Sequence, residues 1–230
     1  TWYFAVKTFD EYGNVSQISN VASAVTLGPP AVSAFPDSVA VSVLSGQTGG
    51  APLGLANTGE GLLDWEASVE PPVSWLAPEP GAGAVAAGES CLVEVVFDAS
   101  GTPPGTHRAT LVFATNDPDQ PVLEVPARLE VIGVPVIETG PALVDFGEVF
   151  VEYSSVESVF VWNRGTATLT VGAVDIAGEG FDFPGGPFAL EPGESRKAGV
   201  TFAPETEGEH EGELRFESND PTTPLVVVPL

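Results

Sequence analysis

The sequence predicts an all-β protein made of tandem antiparallel β-sandwiches. Three observations carry this. Apolar residues alternate with a period of two in run after run. Glycine (26) and proline (22) are spread along the chain as punctuation between those runs. One unit of about a hundred residues is written twice, a length that suits a sandwich domain and is too long for a solenoid repeat.

The repetition is plainest in ATNDPDQPVLEVP (Ala114–Pro126) and ESNDPTTPLVVVP (Glu217–Pro229). It reaches back through LANTGEGLLDWEA (Leu55–Ala67) against VWNRGTATLTVGA (Val161–Ala173). It also covers the segment Val85–Pro118 against Leu190–Pro221. Asn57 matches Asn163, Gly88 matches Gly193, Phe97 matches Phe202, Gly105 matches Gly208 and Asn116 matches Asn219. The offsets stay between 103 and 106 residues.

The elements follow in order. Residues 1–28 spell a strand, a polar turn at Asp10–Asn14 and a second strand, with Trp2, Phe4 and Val6 on one face. A lone hairpin is marginal in water, so this one needs a partner. Gly28-Pro29-Pro30 is a short stiff linker. The first repeat occupies 31–133. Within it, THRATLVFAT puts Ala109, Leu111 and Phe113 on one face of a strand.

Ile132-Gly133-Val134-Pro135 is the second junction, and two such short junctions suggest a rod with limited bending. The second repeat occupies 134–230. SVFVWN aligns Val159, Val161 and Asn163, while GELRFES aligns Leu214 and Phe216. No ten-residue run has helical period and polar caps. AGES and PGES are expected to be the turn that feeds the next core strand. Asn-Asp-Pro is a turn signal. The proline-bounded strands after it are expected at a sheet edge or where a strand changes sheets.

Charge narrows the function classes. The chain has 32 acidic residues against 7 Lys plus Arg, a net charge of -25. A phosphate backbone needs a basic footprint, so nucleic acid is not an expected partner. No run of eighteen apolar residues predicts membrane insertion. Cys91 is the single cysteine, so an intrachain disulfide is ruled out. Its place in SCLVEVVF suits a buried thiol acting as a small hydrophobe.

The residues also resemble known families. YFAVKTFDEYGNVSQISNVASA is similar to the last two strands of a bacterial fibronectin type III domain, here about residues 1–28. DFGEV, NRGTATL, PGES, VTFAP and SNDP make residues 135–230 resemble the ASH or hydin-like immunoglobulin-type domain, seen in bacteria as the choice-of-anchor D repeat. The middle unit, with WLAPEP, the GES turn and FDASG followed by PGTH, is similar to BACON-like immunoglobulin domains, but it lacks DFG near its start. The resemblance implies tandem immunoglobulin-like sandwiches in a large bacterial extracellular or cell-surface protein, as spacers, adhesive stalks or accessory domains beside an enzyme. It implies no catalysis.

The first repeat runs on after Pro126 as ARLEVIG, whereas Pro229 is followed by Leu230. Two expectations fit: an excerpt of a longer protein, which is favoured, or a sandwich completed by a neighbouring copy through its terminal strands.

Candidate chemistry is thin. His107 and His210 hold matched positions, which predicts a structural role, and no cluster of ligands surrounds either one. HEGE (His210–Glu213) lacks the second histidine of a zinc helix, and GES is a turn, not a nucleophile elbow. No catalytic, cofactor-binding or metal-ligating residue is assigned.

Calcium is the one ion left in play, through Asp117 with Asp119 and Asp220 with Glu217. It wants six to eight oxygens, which these do not assemble. Trp65, Trp75 and Trp162 would make a sugar platform if exposed together, although such residues more often fill a core. The expected role is a non-catalytic spacer or stalk whose partners are other domains of the same protein. The alternatives are a filament subunit joined by strand exchange and a carbohydrate-binding accessory region of a secreted enzyme.

Overall fold

A computed structural model describes residues 2–20, 22–24 and 26–230. Thr1, Val21 and Val25 of the expected hairpin lie outside the described residues. Among the described residues nineteen strands follow one another. They are β1 (Trp2–Phe4), β2 (Ala22–Ala24), β3 (Val32–Phe35), β4 (Val39–Leu44), β5 (Thr48–Asn57), β6 (Leu63–Glu70), β7 (Leu76–Glu79), β8 (Ala82–Val85), β9 (Ser90–Asp98), β10 (Gly105–Thr115) and β11 (Val122–Ile132). Then come β12 (Ile137–Gly140), β13 (Ser155–Asn163), β14 (Leu169–Ala177), β15 (Phe181–Asp182), β16 (Phe188–Leu190), β17 (Ser195–Phe202), β18 (Glu213–Ser218) and β19 (Leu225–Pro229). No described residue is helical, so none of them forms a helix able to cross a membrane.

The protein is all-β, with immunoglobulin-like sandwiches. The first repeat contributes a sheet in the order β4-β11-β10-β6-β8 and another in the order β3-β5-β9-β7. The second contributes β12-β13-β17-β15 and β16-β14-β18-β19. The crossovers between sheets are those of a Greek-key sandwich, not of a meander. By compactness the chain divides into two units. One is Thr1–Ala40, Gly50–Phe97 and Arg108–Arg128. The other is Val41–Gly49, Asp98–His107 and Leu129–Leu230.

The period-two faces become the cores. In the first unit Ala109, Leu111 and Phe113 of β10 are buried, as are Leu53 and Leu55 of β5 and Val93, Val95 and Phe97 of β9. In the second unit Val159, Val161, Leu169, Val171, Val200, Leu214 and Phe216 form one cluster fed by both sheets. Each fully buried Leu or Phe stabilises the fold by roughly 1.5–3 kcal/mol over an exposed one, so alternation alone fixes which face turns inward.

One expectation needs correcting. β19 is an edge strand, but β11 lies between β4 and β10. Proline bounds therefore do not place β11 at an edge, and in the edge strand β19 the proline sits where no N–H is required. In the second repeat Gly212 and Leu230 exchange both backbone bonds (3.2 and 2.8 Å). The next pair, Glu213 with Pro229, is therefore a non-bonded pair of the ladder. Toward its other side Pro229 offers only its carbonyl, which accepts from Val144 N at 3.0 Å.

The N-terminal hairpin pairs Trp2 with Ala24 and Phe4 with Ala22. The Asp10 carboxylate accepts from the Asn14 side-chain amide and from the Asn14 and Tyr12 N–H groups, which pulls its pKa below the usual carboxylate range. Trp2, Phe4 and Val6 are all well exposed.

Candidate functional site

The residues written in both repeats converge on hydrogen-bond hubs. Asn57 ends β5 and Asn163 ends β13, each on the same face as the core residues of its strand. Both are essentially inaccessible to water. The Asn163 amide donates to the Ala167 and Leu190 carbonyls (2.8 and 2.9 Å), and its Oδ1 accepts from Gly165 N (2.9 Å) and, at 3.5 Å, from Val136 N. Asn57 repeats the set: it donates to Gly61 and Val85 O and accepts from Gly59 and Ala31 N. A buried amide is tolerated only when its groups are paired. Here one side chain ties together four backbone groups from three segments.

The twice-written Asn-Asp-Pro is a second hub. Asn116 Oδ1 accepts from Asp64 N (2.9 Å), and its amide donates to Leu62 O (3.0 Å). Asn219 does the same with Thr170 N and Thr168 O. The neighbouring aspartates reach further. Asp117 Oδ2 accepts from Val32 N (2.8 Å), and its Oδ1 accepts from Asp119 and Gln120 N. Asp220 Oδ2 accepts from Ile137 N (2.9 Å), and its Oδ1 accepts from Thr222 and Thr223 N.

Each aspartate is therefore a turn former and, at the same time, the anchor for the first strand of its own repeat. The Val32 N–H holds the Asp117 carboxyl below the usual range. Burial pushes the Asp220 carboxyl up, but the N–H donors of Ile137, Thr223 and Thr222 outweigh it, and its pKa is also lowered. Oxygens spent on three N–H groups explain these acids without calcium. Among the described residues no group of three or more His, Cys, Asp or Glu side chains is placed to hold a metal.

Glycine completes the hub. A Cβ on Gly165 would strike the backbone of Val134, Pro135 and Val136, and one on Gly59 would strike that of Pro29, Pro30 and Ala31. The AGES and PGES turns are also the same object twice. Gly88 and Gly193 have φ of 76° and 83°, and their N–H groups donate to Asn57 O and Asn163 O at 2.9 Å.

The remaining candidates settle as follows. His107 Nε2 lies 2.8 Å from Pro103 O, and His210 Nε2 lies 3.0 Å from Thr206 O, closing the same turn in both repeats. Trp65 meets Phe113 edge-on and Trp75 stacks on Phe97; both are buried core residues. Trp162 is half-buried, stacked on Phe160, with the Arg164 guanidinium 5.3 Å from its ring centroid. With Trp65 and Trp75 buried, the three tryptophans do not make an exposed platform. Cys91 is half-buried, and burial pushes its thiol pKa up, with Trp65 acting against that shift.

A cleft of about 1090 Å³ lies in the second repeat between residues 143–151 and 206–210, with Leu230 at one end. Its floor is aromatic: Phe181 stacks on Phe202 at 4.5 Å, Phe146 sits 5.6 Å from each, and His210 meets Phe202 edge-on at 5.4 Å. Glu148, Glu207 and Glu209 make its rim acidic.

Residues 135–228 match the HYDIN/CFA65/VesB-like Ig-like domain family. The match covers the second repeat, where the Asn163 and Asp220 hubs stand. No curated protein matches the chain. Solved structures that align with the chain include a protein of unknown function from Porphyromonas gingivalis W83, at 18% identity over 86% of this chain and 97% of that one, with a TM-score of 0.40. The ASH/PapD-like domain 7 of human CEP192 aligns at 16% identity over 50% of this chain and 94% of that one, with a TM-score of 0.40. The CsuC-CsuE chaperone–tip adhesion subunit complex of Acinetobacter baumannii aligns at 12% identity over 86% of this chain and 97% of that one, with a TM-score of 0.37.

The sequence had shown that Asn57 and Asn163 match but not what they do. The signal was available: Asn163 continues the inward face of Val159 and Val161, and a polar residue at a core position asks for partners. Which partners is a tertiary fact.

Proposed function

We propose that this chain is a non-catalytic run of immunoglobulin-like modules, serving as a spacer or stalk in a larger bacterial protein that is secreted or held at the cell surface. The observation that carries the reading is where the shared residues go. Asn57 and Asn163, Asn116 and Asn219, Asp117 and Asp220, and His107 and His210 all bind backbone within their own repeats. Residues that two copies hold in common are spent on holding strands together, which is what a load-carrying module needs.

The proposed domain limits are a fibronectin type III-like end at 1–28, a BACON-like sandwich at 31–133 and a hydin-like sandwich at 134–230. The partners are the neighbouring domains of the same protein. The acid-rich composition, with 32 Asp plus Glu, suits a solvated surface outside the cell.

Small-angle scattering on the whole chain tests the spacer role. An elongated particle with the same maximum dimension at low and high calcium supports it; a compact or calcium-dependent particle counts against it. A glycan array with tryptophan fluorescence is the second arm. Saturable binding there would make the chain a carbohydrate-binding accessory region instead.

A further inference from the structure

Two of the 7 Lys and Arg residues stand opposite one another in the first repeat. Thr115 N donates to Pro121 O at 2.9 Å, and Thr106 Oγ1 donates to Glu130 Oε2 at 2.6 Å. These contacts fit one antiparallel register of β10 and β11, and that register sets Arg108 against Arg128. Counted from the Thr115 bond, the pair falls at a non-bonded position of the ladder, where Cα atoms are about 4.5 Å apart and side chains are closest. Both arginines are exposed on the outward face. Like charges directly opposite weaken a sheet.

No acid of the chain offsets that opposition. The ion pairs among the described residues are Arg164 with Glu138 and Arg215 with Glu213, so Arg108 and Arg128 are in neither, despite 32 acids. The Glu130 carboxylate, one row along, is bonded to Thr106. The two arginines line a hollow of about 490 Å³, within the range that takes small ligands. Ser38 and Thr110 give it hydroxyls, and Ala40, Pro71 and Pro126 give it apolar walls. Its one acid is Glu70, which pairs with Thr110 across β6 and β10.

We propose that this hollow is a carboxylate clamp for an acidic peptide. One Asp or Glu side chain of a partner enters between the Arg108 and Arg128 guanidinium groups, and the residues beside it lie against Pro71, Pro126 and Ala40. A guanidinium fork matches a carboxylate two bonds at a time, and the bound carboxylate relieves the like-charge opposition. The surrounding charge selects the occupant. Two guanidinium groups, Glu70 and one incoming carboxylate are together neutral, whereas a doubly charged ion or a polyanion meets Glu70 and a net charge of -25. No aromatic ring lines the hollow, so a sugar ring has nothing to stack on. β10 is flanked by β11 and β6, so recognition runs through side chains rather than through an added strand. This goes beyond the spacer reading and does not rest on it; the scattering result and the clamp stand or fall separately.

The test titrates the whole chain with acetyl-Ala-Ala-Glu-Ala-Pro-amide and with its Gln analogue, read by NMR at backbone N–H and arginine Nε–H signals. The Glu peptide is expected to give saturable shifts at Arg108, Thr110, Arg128 and Glu70 that weaken with added NaCl. The Gln peptide is expected to bind about tenfold or more weakly, as is the Glu peptide on Arg108→Gln or Arg128→Gln, because a charge-assisted bond is lost. Arg128→Lys keeps the charge but not the fork and is expected to weaken binding too. Unchanged signals from β13 and β17 are the folding control. No saturation with the Glu peptide, equal binding of the Gln peptide, or undiminished binding by either Gln variant overturns the clamp. Tighter binding of sulfate or galacturonate at the same signals makes the hollow an inorganic-anion or acidic-sugar site, and the proposed occupant is then wrong.

Discussion

Replacing Asn163 with alanine removes one side chain and strips partners from four backbone groups. Three of its bonds are short: 2.8 Å to Ala167 O, 2.9 Å to Leu190 O and 2.9 Å from Gly165 N. The fourth, from Val136 N at 3.5 Å, is weak. A net hydrogen bond is worth about 1 kcal/mol, and buried groups left unpaired cost more. Three such bonds with little access for water give a loss of about 3–4 kcal/mol. That is a large part of a domain's typical stability of about 5–15 kcal/mol.

Native-state hydrogen exchange reads this repeat by repeat. Amides of β13 should lose protection by roughly a hundredfold to a thousandfold, while Leu111 and Phe113 in β10 stay as they are. Asn163→Asp sharpens the case. It turns the two donors toward Ala167 O and Leu190 O into an acceptor and should cost at least as much at pH 7. A loss under tenfold for the alanine, or tolerance of the aspartate, would refute the hub.

Gly165→Ala forces a Cβ onto the Val134–Val136 backbone and should destabilise the second repeat by about 2–3 kcal/mol, measured as a lowered urea midpoint. The lowered pKa of Asp220 makes it a source of stability that is fully present above the unfolded carboxylate value near 3.9 and lost as pH falls through the lower folded value. Thermal melts between pH 6 and 2 should show that loss, and Asp220→Asn should flatten it. With 32 acids against 7 Lys plus Arg, and two ion pairs among the described residues, like-charge repulsion acts against the fold. Moving from low salt to about 0.5 M NaCl should raise the melting temperature.

The local rules were legible because they are local. Alternation put Leu111, Phe113, Val159, Val161, Leu214 and Phe216 inside, and all six are buried. The Gly88 and Gly193 turns follow from glycine at positive φ. Asp117 and Asp220 were legible only in part. Their turn bonds span two or three residues, but the bonds to Val32 and Ile137 span 85 and 83, beyond any window of sequence pattern. The misplaced edge has the same cause. Pro126 looks alike whether its strand is flanked on one side or two, and the second flank, β4, comes more than eighty residues earlier. Trp65 and Trp75 fill the core, as aromatics in a strand run more often do.

The two hubs explain why one phrase is needed twice. A sandwich must fix its first strand against the last part of the chain, and closing a loop of more than eighty residues is entropically costly. Asp220 and Asn163 both grip the entry segment of their repeat, through Ile137 N and Val136 N. Asp117 and Asn57 do so through Val32 N and Ala31 N. Entry strand, mid-domain strand end and late turn are thus locked by charged or fully paired groups rather than by apolar contact alone. The outward faces are then free to differ: Phe160 and Trp162 decorate β13, whereas Gly54 and Ala56 stand on β5. Ligand selectivity, if a relative of this module acquires it, has to arise on those outward faces, because the repeated residues are already committed to the fold.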